Sequence, residues 1–411
     1  MELLHRTFAI GRCLGRGGFG EVYRADMTSS TGLTSSVALK VLRRDLAPGG
    51  QAVQRLRDEG AMLARLNHPT ILRVHDLVVL DGRVSLVTEY VDGEDLERCL
   101  RGPDRIGIRA LAEVIGQVAS ALDAAFNAPL ALDGAPLRLV HRDVKPSNVR
   151  ISRHGEVKLL DFGIARSDEI TREARTMTDM MVGSPPYMAP ERFLDNEIRP
   201  ASDVFALGAM VLEGLIGRRV FEVPVTMLAS YAIDRHRYEA YVASRFDLVP
   251  PGNVGAMIEL ARPLLAYDPD DRPTAAEVAR GCEDLADSLE GSPLARWCRE
   301  RRWVDPPEEV GDLDGKLLSE GTLARPYPSE TTTPLPQPKA APSAAEEITA
   351  PAEVVSRARP ASLAVWLGGA SVVSTLLGVG GLVIVAATLA VAVGWPSLRT
   401  PWPTRSPVVV A

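Results

Sequence analysis

Apolar runs at residues 8–14, 21–25 and 37–40 read as three short strands, the first two flanking a glycine-rich stretch. Residues 51–66 change the period: Val53, Leu56, Met62, Leu63 and Leu66 fall roughly on one stripe, which predicts a helix. Asn67-His68-Pro69 ends it, because proline disfavours the helical conformation in the residue before it. Residues 71–80 and 84–90 then predict a hairpin around Asp81-Gly82. From residue 94 onward the pattern turns helical, at 94–100, at 108–126 in an alanine-rich run suited to a core, and later at 200–217, 254–266 and 274–289. Strands first and helices afterwards argue for an α+β fold with two lobes. A short helix within 291–303, carrying the basic run RWCRERRW, is expected to close the globular part.

Beyond it the pattern is lost. Residues 304–360 are rich in Pro, Ala, Glu, Ser and Thr and are expected to form a disordered linker, since such a segment cannot bury enough apolar surface to fold. As a flexible tether it would span about 40 Å. Residues 360–398 then carry no charge at all. A helix needs about 20 apolar residues to cross a bilayer, so one crossing, at 363–395, is predicted. Trp366 and Trp395 stand near its ends, as an aromatic belt at each interface would place them. Residues 396–411 would form a short external tail. Ala370, Ser374 and Gly378 recur at four-residue spacing, a small-residue face on which a homodimer could form.

Composition adds exclusions. The chain has 411 residues, 46% hydrophobic and 24% charged, with a net charge of -7. No strongly basic face is implied, so no nucleic-acid partner is expected. Cys13, Cys99, Cys282 and Cys298 are scattered without a CxxC pair, which suggests neither a disulfide framework nor a zinc site. The start, MELLHRTFAI, is too short in apolar length for a secretory signal.

The chemistry is concentrated at residues 140–163, where VHRDVKPSN is followed by VKLLDFG. Asp143, Lys145, Asn148 and Asp161 stand there at offsets that suit phosphoryl transfer, which asks the protein for positioning, metal holding and charge neutralisation. Asp143 could accept the proton of an attacking hydroxyl, Lys145 could neutralise the moving phosphate, and Asn148 with Asp161 could hold magnesium through hard oxygens. The glycines of residues 15–20 would let backbone N–H groups approach a polyphosphate. The same letters open a dinucleotide-binding fold, but here another strand follows instead of a helix. Lys40, ending an apolar run, suits a phosphate contact, and Glu59, lying amid the stripe of the first helix, needs a buried partner for which Lys40 is the natural candidate.

Taken together, the Gly-rich loop, VALK, HRDVKPSN, DFG and APE motifs resemble those of the eukaryotic-type Ser/Thr protein kinases, in order, over about residues 8–290. Among these the chain looks most like the bacterial membrane-anchored members. The resemblance implies a two-lobed kinase fold, with a small β-rich lobe at 8–91 and a larger helical lobe at 92–290. It implies ATP and magnesium as cofactors, protein substrates, and transfer of the γ-phosphate to Ser or Thr hydroxyls. It assigns ATP binding to Leu14, Gly15, Arg16, Gly17, Gly18, Phe19, Gly20, Val22, Ala38, Lys40, Glu59, Glu89 and Val91, with Glu89 to Val91 as the hinge and Thr88 as the gatekeeper. Asp143 becomes the catalytic base, Lys145 its partner, and Asn148 and Asp161 the metal ligands. Glu191 should pair with Arg272, and Asp203 should brace the catalytic loop.

Three departures from the family pattern stand out. Arg150 occupies a place where an aliphatic side chain often lies under adenine, and its charge is expected to point outward. Ser184 replaces the commoner threonine, and an insertion at 127–138 is longer than usual. Thr176 and Thr178 stand where bacterial members are phosphorylated, with Arg142 as a cationic site for the phosphate. The chain is therefore expected at the inner membrane, single-pass, with its kinase lobes cytoplasmic. The alternatives are a pseudokinase acting as an anchored nucleotide-binding scaffold and a small-molecule phosphotransferase; the segment GSPPYMAPE, which shapes a peptide site, disfavours the latter.

Overall fold

The computed structural model describes residues 6–17, 20–43, 51–129, 136–162, 184–194, 198–304 and 309–321. The predicted membrane span at 363–395, most of the 304–360 linker, and Gly18, Phe19, Thr176 and Thr178 lie outside them. Among the described residues no helix is long and apolar enough to cross a membrane.

The N-terminal lobe is an antiparallel sheet of β1 (Thr7–Gly17), β2 (Gly20–Thr28), β3 (Thr34–Leu42), β4 (Val74–Leu80) and β5 (Arg83–Glu89), in the order β4-β5-β3-β2-β1. Along β2, Tyr23 and Ala25 are buried while Arg24 and Asp26 are exposed, the period-two signature of a sheet with one covered face. β5 is buried at every position from Arg83 to Thr88, because Val87 joins the core under the sheet while Val84 and Leu86 meet Val53 and Leu56 of α1 (Gln51–Leu63) on the other side. The β4–β5 turn is Asp81-Gly82, both at positive φ (50° and 72°), which twists the chain as a two-residue hairpin requires.

A sixth strand was not expected. β9 (Leu317–Ser319) lies antiparallel on β1, pairing Thr7 with Ser319 and Ala9 with Leu317, in a stretch predicted to be disordered linker. Composition misled because residues 309–321 bring only one fully buried apolar side chain, Leu313, which enters the core beside Phe8, Ile10 and Tyr23. The rest is held by backbone. Ile10 N–H donates to the Lys316 carbonyl (2.8 Å), Glu320 N–H to Arg6 (3.0 Å) and Gly321 N–H to Val79 (2.9 Å). A segment that completes an existing sheet edge needs no core of its own. Arg6 adds a two-pronged ion pair to Glu320, at 2.9 and 3.0 Å.

The C-terminal lobe is built around α3 (Ile108–Asn127), which packs on α5 (Pro200–Ile216), where Leu111 meets Gly214, and on α9 (Ala275–Ala286), where Gly116 meets Cys282. Between α2 (Leu96–Cys99) and α10 (Leu294–Glu300), Arg301 and Val304 both end on the Glu94 carboxylate, at 2.7 and 3.0 Å. A second sheet, β6 (Gly93–Asp95), β7 (Val149–Ser152) and β8 (Val157–Leu159), runs under the hinge. Gly93 is required there: a β-carbon would sit 1.9 Å from the Ile151 carbonyl oxygen. The lobe also holds α4 (Pro190–Leu194), α6 (Val225–Ile233), α7 (Arg235–Phe246) and α8 (Gly255–Leu264). Helices α6 and α7 were not read from the sequence; α7 fully buries only Tyr238, Val242 and Phe246, a stripe one residue wide per turn.

Candidate active site

An open cavity of about 220 Å³ lies between the lobes. Leu14, Gly15, Val22 and Ala38 cover it from the small lobe, Thr88 to Val91 form its back, and Arg150, Leu160 and Asp161 come from below. Leu14 and Val22 reach it because β1 and β2 are consecutive strands of one hairpin, with Gly17 paired to Gly20. Gly20 itself admits no side chain, since a β-carbon would meet the Val41 carbonyl oxygen at 2.0 Å. The Arg16 guanidinium leaves the cavity, pairing with Glu21 at 3.0 Å and donating to the Val310 carbonyl of the C-terminal segment.

At the inner end Lys40 donates to Asp161 Oδ1 at 2.7 Å. Asp161 holds this place at φ 49°, the left-handed region that non-glycine residues enter at a cost. Glu59 lies on α1, but its side chain, and with it the expected pairing with Lys40, lies outside the described residues.

The segment from His141 to Asn148 is held from beneath. Asp203, at the start of α5, accepts from the backbone N–H groups of His141 (2.7 Å) and Arg142 (2.9 Å). Burial pushes its carboxyl up to about 7, against the pull of those two donors. Arg142 adopts φ 70°, and His141 Nε2 lies 2.8 Å from the Leu160 carbonyl, which ties this segment to the strand leading to Asp161. Its ring packs on Phe162 with centroids 4.6 Å apart.

On that support four polar side chains converge. Asp143, 6% exposed, keeps Oδ2 on Lys145 Nζ (2.8 Å) and Asn148 Nδ2 (3.2 Å). Its other oxygen, Oδ1, accepts from the Ser184 hydroxyl at 3.1 Å, and Lys145 donates to the same hydroxyl at 3.0 Å. Asn148 also donates to the Asp143 backbone carbonyl at 2.8 Å, which leaves its amide oxygen as the free face. That oxygen and the Asp161 carboxylate are hard donors of the kind magnesium takes, two protein ligands with the remainder supplied by water and phosphate. Among the described residues no cluster of three or more His, Cys, Asp or Glu forms a self-sufficient metal cage. The donor set fits a cation shared with a bound phosphate.

Beyond the reacting groups, Glu191 and Arg272 form a two-pronged pair at 2.8 and 2.9 Å that also takes the Ser202 hydroxyl at 2.6 Å. Burial alone would raise the Glu191 carboxyl, but Arg272 and Ser202 outweigh it and hold it below its ordinary range. Sequence reasoning missed the Arg150 contacts. Its guanidinium turns to the hinge backbone and not outward, and only the β6–β7 pairing brings those acceptors within reach.

Residues 8–281 match the protein kinase domain family. Among similar curated proteins, the serine/threonine-protein kinase PknA of Mycobacterium tuberculosis (strain ATCC 25618 / H37Rv) is 36% identical over 223 residues, 53% of this chain and 48% of that protein. The serine/threonine-protein kinase PkaA of Streptomyces coelicolor is 34% identical over 287 residues, 67% of this chain and 49% of that protein. The tyrosine-protein kinase MasK of Myxococcus xanthus is 32% identical over 292 residues, 69% and 44% of the two chains. The chain spans about half the length of the curated relatives it matches.

Proposed function

The chain belongs to the protein kinase domain family, and from that premise we propose that it is a Ser/Thr protein kinase that uses Mg-ATP. One observation carries the reading: a serine hydroxyl, Ser184, already lies within hydrogen-bond reach of both Asp143 Oδ1 and Lys145 Nζ. An incoming Ser or Thr hydroxyl in the same relation would give its proton to Oδ1, while Oδ2 stays fixed by Lys145 and Asn148. Lys145 would then offset charge on the phosphoryl group in flight. Lys40 would hold the inner phosphates, and the backbone of Gly15 and Gly17 would cover them. Asn148 and Asp161 would hold magnesium, which when bound supplies positive charge against the phosphates. Each position that phosphoryl transfer uses is filled by a competent side chain, so nothing favours the scaffold alternative.

The same reading includes regulation and anchoring. Thr176 and Thr178 would be autophosphorylated and pair with arginine to order their segment. Residues 363–395 would cross the inner membrane once, alone or paired through the small-residue face, with the kinase lobes in the cytoplasm where ATP is. Incubating the full chain with Mg-ATP and mapping phosphate by mass spectrometry tests the chemistry. Phosphate on serine and threonine, with Thr176 or Thr178 among the sites, is expected; phosphate confined to tyrosine would overturn the Ser/Thr assignment. Anchoring predicts that the chain stays with membranes through an alkaline carbonate wash. A wash that strips the full chain and a variant lacking 360–398 alike would reject the span.

A further inference from the structure

We infer that Arg150 is a positioning residue for the nucleotide: together with Lys158 it clasps both ends of the hinge that forms the back of the cavity. The inference rests on reading that cavity as the ATP site. β7 and β8 place Arg150 and Lys158 directly opposite each other, an arrangement of like charges that is unfavourable on its own. Each is stabilised by reaching up to the hinge. Lys158 Nζ meets Glu89 Oε1 at 2.8 Å, and the same oxygen accepts from the Arg73 backbone N–H at 2.7 Å.

Arg150 takes the other end with three donors. Nε donates to the Val91 carbonyl (2.8 Å), Nη2 to the Gly93 carbonyl (2.7 Å) and Nη1 to Asp95 Oδ1 (2.9 Å). The rigid fork of a guanidinium can hold three acceptors at once, which an ammonium on a flexible stem cannot. Val91, Asp95 and Arg150 all line the cavity, so the clasp is part of its wall. Burial raises the Asp95 carboxyl, and Arg150 is the chief influence opposing it.

An apolar side chain at position 150 would leave the Val91 and Gly93 carbonyls and the Asp95 carboxylate without this partner. The hinge would lose its fixed shape on the side that meets the base, while Asp143, Lys145 and Ser184 would be untouched. The consequence belongs to nucleotide binding and not to the transfer step.

The test compares wild type, Arg150→Met and Arg150→Lys as full chains, measuring KM for ATP, KM for a peptide substrate and kcat, with ATP binding followed separately by calorimetry. Losing charge-assisted hydrogen bonds of this kind should raise KM for ATP about ten-fold in Arg150→Met, with kcat falling by a smaller factor. Arg150→Lys, which keeps charge and bulk but not the fork, should raise it about three-fold. KM for the peptide should hold. Wild-type-like KM for ATP in both variants would overturn the inference, as would parallel changes in both KM values and kcat, the mark of a general structural defect. A wild type that binds no nucleotide would defeat the kinase reading itself, and is distinguishable because it needs no variant.

Discussion

Asp143 divides its carboxylate between two tasks. Oδ2 is fixed by Lys145 and Asn148, and Oδ1 faces a hydroxyl. The oxygen that would receive the proton is thus aimed by the bonds made through the other. Glu191 shows a different use of charge. With Arg272 it is almost wholly removed from water, and each partner depends on the other. Glu191→Gln should cost about 3–5 kcal/mol at pH 7, because it leaves a buried guanidinium without its counter-charge. The folded carboxyl lies below its ordinary value of 4.5, so this stability is present above that value and is lost as pH falls through the lowered folded value. Urea unfolding at pH 7 and again below pH 4 should show the gap between wild type and variant narrowing; an equal gap at both would reject the ionised pair. At this scale the sequence was informative where spacing carries the chemistry, as for Asp143, Lys145 and Asn148 in one loop. It was misleading for Arg150, whose role depends on acceptors more than fifty residues away.

At the scale of elements, the long stripe of α3 and the hairpin at Asp81-Gly82 were legible because period and turn chemistry are local. β9 was not, because its partner is β1, some three hundred residues earlier in the chain. The fully buried Leu313 and the backbone bonds to Ile10, Arg6 and Val79 reveal that it completes the small lobe. Its neighbour Gly311 sits so close to the Tyr23 ring that a β-carbon would lie 2.4 Å from Cε1, and Tyr23 Oη accepts from the Leu313 N–H at 3.2 Å. Leu313→Asp should therefore destabilise the small lobe by about 3 kcal/mol or more, through lost apolar burial and a carboxylate placed without a partner. Thermal unfolding should move to lower temperature and the amides of β1 should exchange faster. Unchanged unfolding and exchange would show that residues 309–321 are not part of the lobe.

At the scale of the whole molecule, two lobes meet over a cavity whose wall holds Lys40 and Asp161. The small lobe contributes the covering strands and Lys40; the large lobe contributes Asp143, Lys145, Asn148 and Asp161. The two-lobed architecture followed from the order of strands and helices along the chain. The closing of the small lobe by residues from beyond the large one did not. The most direct measurement is Mg-ATP-dependent phosphate transfer by the full chain beside Asp143→Asn, with ATP binding measured on both. The account predicts transfer by the wild type, a loss of at least about a hundred-fold in the variant, and nucleotide binding retained in both. Equal transfer by the two chains would contradict the role given to Asp143, and no transfer by a wild type that binds Mg-ATP would contradict the proposed activity.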